Sequence, residues 1–245
     1  GTVHVLDALR CHAKPKVILV VTSDKVYEND ESGRTFNEHS RLGGHDPYSA
    51  SKAATEIVVS SYRRSYFDEK GVSIVTARGG NVIGGGDFSE DRIVPDVVRA
   101  VSLGKIPEIR NPEATRPWQH VLDCLDGYFT YVEALVSADK VLPRALNFGP
   151  QLNSSAVTVG ALTNALMRAM DRQAIFSKLV QRGAHETTTL SIDPSLASRS
   201  LNWEPRLTGD AILRLTAEWY GSFIAGKNMK KITDNQINNY RDAAQ

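Results

Sequence analysis

The run Val17-Ile18-Leu19-Val20-Val21 is unbroken by any polar residue and gives way at once to a polar stretch from Ser23 to Pro47. An aliphatic, largely β-branched run of this length has no polar face, so it suits a strand covered on both sides, as in parallel sheets. Parallel strands need crossover connections, usually helices. The chain supplies them. Helical patterns at Val3 to Cys11 and about Tyr48 to Asp68 flank the run, and a second strand follows at Ser73 to Ala77. Beyond the glycine-rich turn Gly79 to Asp87 come a helix at Val94 to Leu103, a short strand near Ile109, a helix at Leu122 to Val136 and a strand at Ala145 to Phe148. The remainder is helical at Val157 to Met170 and Thr208 to Ala225. This alternation predicts an α/β fold with a doubly wound parallel sheet. Such sheets bind ligands beyond the carboxyl ends of their strands, which puts the chemistry in the polar loop after Val21.

Charge and apolar runs exclude several function classes. With 29 basic and 28 acidic residues the net charge is +1, so no global field favours nucleic acid or an anionic membrane, and anion recognition must be local. The longest apolar run, Val17 to Val21, is far below the ~20 residues that span a bilayer, and no signal-peptide pattern opens the chain. Cys11 and Cys124 match no metal spacing and read as reduced packing residues of a cytoplasmic protein. Gly1 to Leu9 starts in the middle of an apolar helical pattern, without a cap or turn before it. No G-x-G-x-x-G follows any strand, and Gly84-Gly85-Gly86 has the wrong spacing. A complete dinucleotide-binding sheet would need a first βαβ segment, expected ahead of these residues, of about three more strands at ~30 residues per unit.

Tyr48 and Lys52 stand four residues apart, so on a helix they share one face. A free phenol titrates near ~10, and a neighbouring ammonium favours its anion, which makes the pair a candidate general base. Tyr and Lys at this spacing are also common on solvated helix faces. Likewise Ser23-Asp24-Lys25, taken alone, is more often a turn with a capping Asp. Adjacent side chains on an extended strand point to opposite faces, so Asp24 and Lys25 can act together only if the chain turns there. They are expected in the first turn after the strand.

Thr22-Ser23-Asp24-Lys25 at a strand end, followed by Tyr48-Ser49-Ala50-Ser51-Lys52 on a helix, resembles the extended short-chain dehydrogenase/reductase superfamily. The residue pair after the serine is similar to that of the sugar-nucleotide 4,6-dehydratases. Asp-Lys rather than Asp-Glu resembles the branch acting on CDP-glucose. Gly43 to Ser49, Ala77 to Asp87, and Arg110 to Val121 extend the similarity over nearly the whole chain.

The resemblance implies a Rossmann-like NAD-binding and catalytic domain over 1–150 and a smaller sugar-nucleotide lobe over 151–245, interleaved with parts of 81–120. It implies that Tyr48 takes the C4 hydroxyl proton of CDP-glucose as hydride passes to NAD, with Ser23 on the C4 oxygen and Lys52 on the ribose. Lys25 would then remove the C5 proton while Asp24 protonates the departing C6 hydroxyl, and hydride returns to C6. Thr22 and Arg78 join Tyr48 and Lys52 as cofactor-side residues. Asn81 and Arg116, with Arg92 less directly, match substrate-diphosphate positions, where arginine offers bidentate geometry. Glu186 matches a ribose contact. As isolated residues the arginines read equally as surface charges, Trp118 as packing, and His120 as a loop anchor. No metal is expected, and a homodimer through the Tyr/Lys helix is. Two other readings remain: a UDP-hexose 4-epimerase-like enzyme, which shares Ser23, Tyr48 and Lys52 but needs no Asp24-Lys25 pair, and an inactive module unable to bind NAD.

Overall fold

The computed structural model describes residues 1–137, 141–152, 157–178 and 190–243. In chain order the elements are α1 (Thr2–His12), β1 (Val17–Val21), β2 (Thr35–Phe36), α2 (Pro47–Tyr62), β3 (Ser73–Gly79), β4 (Asn81–Ile83), α3 (Ile93–Ser102), β5 (Glu108–Ile109), β6 (Thr115–Arg116), β7 (Trp118–His120) and α4 (Val121–Ser137). There follow β8 (Ala145–Phe148), β9 (Val157–Thr158), α5 (Val159–Ala169), β10 (Ser177–Lys178), β11 (Ser191–Ile192), α6 (Ser195–Leu201), α7 (Gly209–Ile224) and α8 (Met229–Asp242). Two compact units result. The first takes Gly1–Gly80, Cys124–Leu152 and Leu190–Pro205; the second takes the remainder.

In the first unit, β1, β3 and β8 form a parallel sheet in the order β1-β3-β8, with Val17 opposite Ser73 and Thr76 opposite Ala145. From Ile74 to Gly79 every residue of β3 is buried, which is what a strand covered on both faces requires. Ile74 joins Leu6, Ile18, Val59 and Phe67 on the face covered by α1 and α2. Val75 and Ala77, of opposite parity, pack with Tyr128, Tyr131, Leu146, Phe148 and Trp203 on the other. Helices on both faces make this the doubly wound architecture that the alternation of elements predicts.

The second unit pairs β4 with β7 in parallel, and β5 with β10 and β6 with β9 beside them. Leu162 and Leu166 of α5, Val97 and Val98 of α3, and Trp219 and Tyr220 of α7 share its core. Burying each such side chain stabilises by about 1.5–3 kcal/mol.

Three elements depart from expectation. The helix from Tyr48 ends as α-helix at Tyr62, passes through a π turn (Arg63–Phe67) and a 3-10 turn (Asp68–Lys70), and stops at Gly71 with φ +65°. Glycine carries no Cβ penalty there. The helix expected from Val157 begins at Val159, because Thr158 caps it, accepting from the Ala161 N–H, while Val157 and Thr158 pair with β6. The third, α8, was not expected: its apolar stripe is thin, with Tyr240 buried and Met229 and Ile232 packed against the core, and Asn228 caps it by accepting from the Lys231 N–H. None of the described helices is long and apolar enough to cross a membrane.

Candidate active site

The polar loop after β1 closes immediately. Thr22 still pairs with β3 through its N–H to the Ala77 carbonyl, at 2.8 Å. Asp24 to Val26 then form a 3-10 turn. Ser23 Oγ donates to Asp24 Oδ1 at 2.9 Å and accepts from the Lys25 N–H at 3.2 Å. Asp24 and Lys25 thus lie in the first turn after the strand, as expected, and not on the opposite faces of an extended strand. Asp24 is only 4% exposed, whereas Lys25 is exposed. Burial pushes the Asp24 carboxyl above the usual carboxylate range, against the opposing hydrogen bond from Ser23 and the charge of Lys25. Its Oδ2 is enclosed and has no hydrogen-bond partner among the described residues. The phenol of Tyr128, itself raised by burial, lies near enough to feel the Asp24 charge. This environment favours the neutral acid over the carboxylate.

The second component is the start of α2. Asp46 caps it, accepting from the N–H groups of Tyr48 (2.9 Å) and Ser49 (3.0 Å), and Pro47 occupies its first turn. The Ser49 hydroxyl and these N–H groups hold the Asp46 carboxyl below its usual range. Gly44 lies so close to this turn that a Cβ on it would meet Ala50 N at 2.4 Å. Tyr48 is 44% exposed, and the ammonium groups of Lys25 and Lys52 each lie 5.8 Å from its ring centroid. The structure therefore brings Ser23, Asp24, Lys25, Tyr48 and Lys52 into one place. It joins a buried carboxyl that favours its proton to an accessible phenol flanked by two cations.

One turn past Lys52 on the same stripe is Glu56, a residue that the sequence did not single out. It is buried and accepts from Thr22 Oγ1 at 2.6 Å, Thr76 Oγ1 at 2.8 Å and Arg78 Nη2 at 2.8 Å. Arg78 Nη1 in turn donates to the Tyr27 hydroxyl at 2.9 Å, and Tyr27 donates to Asn147 Oδ1 at 2.6 Å. Thr22 and Arg78, expected beside the cofactor, thus have polar groups engaged inside the protein. The signal available in sequence was the spacing Tyr48, Lys52, Glu56, one acid in line with the pair.

Of the expected substrate residues, Asn81 opens β4 and lies opposite Trp118 of β7, two residues past Arg116. Both are half-buried, and Arg116 Nη1 donates to the Thr115 carbonyl at 3.1 Å. Arg92 is exposed at the N-cap of α3. Glu186 lies outside the described residues. Trp118 packs in the second unit's core and donates through Nε1 to the Val157 carbonyl. His120 is buried, and its Nδ1 accepts from the Leu122 N–H, as a loop anchor would.

The family model for GDP-mannose 4,6-dehydratase matches residues 1–216. The chain is 34% identical to CDP-glucose 4,6-dehydratase of Salmonella typhimurium, over 99% of this chain and 69% of that protein. To dTDP-glucose 4,6-dehydratase of Mycolicibacterium smegmatis it is 29% identical, over 90% of this chain and 63% of that protein. Among solved structures, UDP-glucuronic acid 4-epimerase from Bacillus cereus in complex with UDP-glucuronic acid and NAD superposes with a TM-score of 0.74 at 18% identity, covering 91% of this chain and 66% of that one. The dTDP-glucose 4,6-dehydratase from Bacillus anthracis in complex with NAD gives 0.70 at 21% identity, covering 89% and 66%. The chain thus spans about two thirds of the length of these proteins.

Proposed function

The chain belongs to the GDP-mannose 4,6-dehydratase family, and from that premise we propose that it carries the acid and base groups of an NAD-dependent 4,6-dehydratase acting on CDP-glucose. The observation that carries this reading is the turn after β1. Asp24 sits there as a buried carboxyl disposed to hold a proton, beside an exposed Lys25 ammonium over the Tyr48 ring. An epimerase needs the phenol but has no use for a proton donor and base at this point. The CDP assignment rests on Lys25 and on the Salmonella relative.

NAD would supply the carrier that takes hydride from C4 and later gives it to C6. Tyr48 and Lys52 fit its nicotinamide-ribose end, since both project from one stripe of α2 and the phenol is accessible. In this reading Tyr48 takes the proton of the C4 hydroxyl. When Asp24 is protonated it can donate to Ser23 Oγ, which frees the Ser23 hydroxyl proton for the C4 oxygen. The C4 ketone acidifies C5. Lys25, which must first give up its ammonium proton, removes the C5 proton as a neutral amine while Asp24 delivers its own to the leaving C6 hydroxyl, expelling water. A proton returns to C5 as hydride reaches C6. Arg116 and Asn81, with Arg92 and Glu186, would hold the nucleotide. The protein would work as a cytoplasmic homodimer pairing through α2, on which Ile57 stands 62% exposed.

The test is an NMR assay of the protein with NAD and CDP-, dTDP- or UDP-glucose or GDP-mannose in D2O. The expected product, from CDP-glucose in preference to the others, has a C6 methyl group, a C4 ketone and solvent deuterium at C5. A sugar inverted at C4 that keeps its C6 hydroxyl would overturn the reading in favour of epimerisation.

A further inference from the structure

Glu56 and Arg78 take no part in the chemistry just described, yet among the described residues of the first unit they form the most enclosed ion pair, 2.8 Å apart with side chains 4% and 5% exposed. Their partners bracket the acid-base turn. Thr22, the residue before Ser23, gives its hydroxyl to Glu56; Tyr27, the residue after Val26, receives Arg78. Tyr27 is held further by its bond to Asn147 of β8, and Thr22 by its backbone bond to β3. Glu56 itself rides on α2, in line with Tyr48 and Lys52.

We infer that Glu56, through Thr22 on one side and through Arg78 and Tyr27 on the other, is a positioning residue that sets the acid-base turn in register with the Tyr48-Lys52 helix. Helix geometry explains why a clamp is needed. A slip of α2 by one residue rotates its stripe by about 100° and moves it about 1.5 Å. A misplacement of about 1 Å at a reacting centre is enough to cost roughly a hundredfold in rate. Packing of Val59 against Ile18 and Ile74 is apolar and non-directional, whereas the directed hydrogen bonds from Thr22 and Arg78 to one carboxylate tie α2 to both ends of the turn. The kinetic part of the inference rests on the dehydratase reading; the mechanical part does not.

Two isosteric substitutions separate positioning from mere stability. Thr22→Val and Thr76→Val each remove one hydroxyl donor to the same buried carboxylate, but only Thr22 adjoins the turn. Thr22→Val is expected to lower kcat by at least about tenfold with little change in KM, and to speed amide exchange of residues 23–26. Thr22→Ser, which keeps the hydroxyl, restores both. Thr76→Val leaves kcat within about twofold and the turn amides protected. Equal effects of the two valine variants on kcat and on exchange would overturn the inference, as would turn amides in Thr22→Val that exchange as in the wild type. Should the wild-type protein turn over no sugar nucleotide, the dehydratase reading fails and the exchange comparison still decides the clamp.

Discussion

Glu56→Gln tests how the buried cluster is held together. The substitution keeps the shape of the side chain but leaves one acceptor oxygen where three donors converge, and it leaves the Arg78 guanidinium buried without its counter-charge. Breaking a buried pair from one side costs about 3–5 kcal/mol, because the surviving charge has neither water nor partner. Against a typical total of about 5–15 kcal/mol, that loss is large. Removing both members should not be. In Glu56→Gln/Arg78→Met the orphaned charge is gone, and Tyr27 keeps its bond to Asn147. The double variant is therefore expected within about 1–2 kcal/mol of the wild type, less damaged than Glu56→Gln alone. Guanidinium denaturation of the wild type, both single variants and the double variant, followed by circular dichroism, closes the cycle. If Glu56→Gln costs less than about 1 kcal/mol, or if the two single losses simply add, the cluster is not a coupled buried pair and the reasoning fails.

Asp24→Asn should lower kcat by about 10²–10⁴-fold, the usual range for a lost general acid. Burial raises the Asp24 carboxyl in the folded state, so the folded form binds a proton more tightly than the unfolded one. The stability this brings is present below the unfolded value and is lost as pH rises through the folded one. The stability difference, wild type minus Asp24→Asn, should therefore fall with rising pH; a difference that rises instead would show that Asp24 is held ionised. His120 gives the opposite slope. Burial lowers it from 6.5 to about 4, so the neutral ring contributes stability that is lost as pH falls across that interval. At about 1.36 kcal/mol per pH unit this amounts to roughly 3 kcal/mol, which His120→Asn should abolish. An NMR titration showing the His120 ring protonating near 6.5 would contradict it.

The contrast between these groups shows what was legible in the sequence. Val17–Val21 reads as a strand covered on both sides because both faces of the run are apolar; it does pair with β3, but only Ile18 of β1 is buried and Val21 is 48% exposed, so full burial belongs to β3. Tyr48 and Lys52 are legible because their spacing alone puts them on one stripe, and the need for a turn at Asp24-Lys25 follows from strand parity. By contrast, α8 is polar apart from a thin stripe through Met229, Ile232 and Tyr240, too sparse to stand out in a run of Lys, Asn, Asp and Gln. Glu56 escaped for a different reason. An acid on a helix is ordinarily a solvated charge, and its partners Thr22 and Arg78 are 34 and 22 residues away in the chain. Its spacing puts it in line with Tyr48 and Lys52, but nothing local says that it is buried rather than solvated until the strands are set side by side.

The same limit governs Arg78. By resemblance it lay on the cofactor side, and an arginine at the carboxyl end of a buried strand is a reasonable anion ligand. Once β3 is flanked by β1 and β8, however, residues of its parity face α2, and the guanidinium enters a site already holding a carboxylate and a phenol. An arginine buried there without a counter-charge would be prohibitive, so Glu56 is required by Arg78 as much as Arg78 by Glu56. Groups proposed to act on a substrate, such as Asp24 and Tyr48, would be constrained in identity by that substrate, at the carboxyl ends of the strands. Groups that only hold them are constrained by one another, and that constraint exists only in the folded chain.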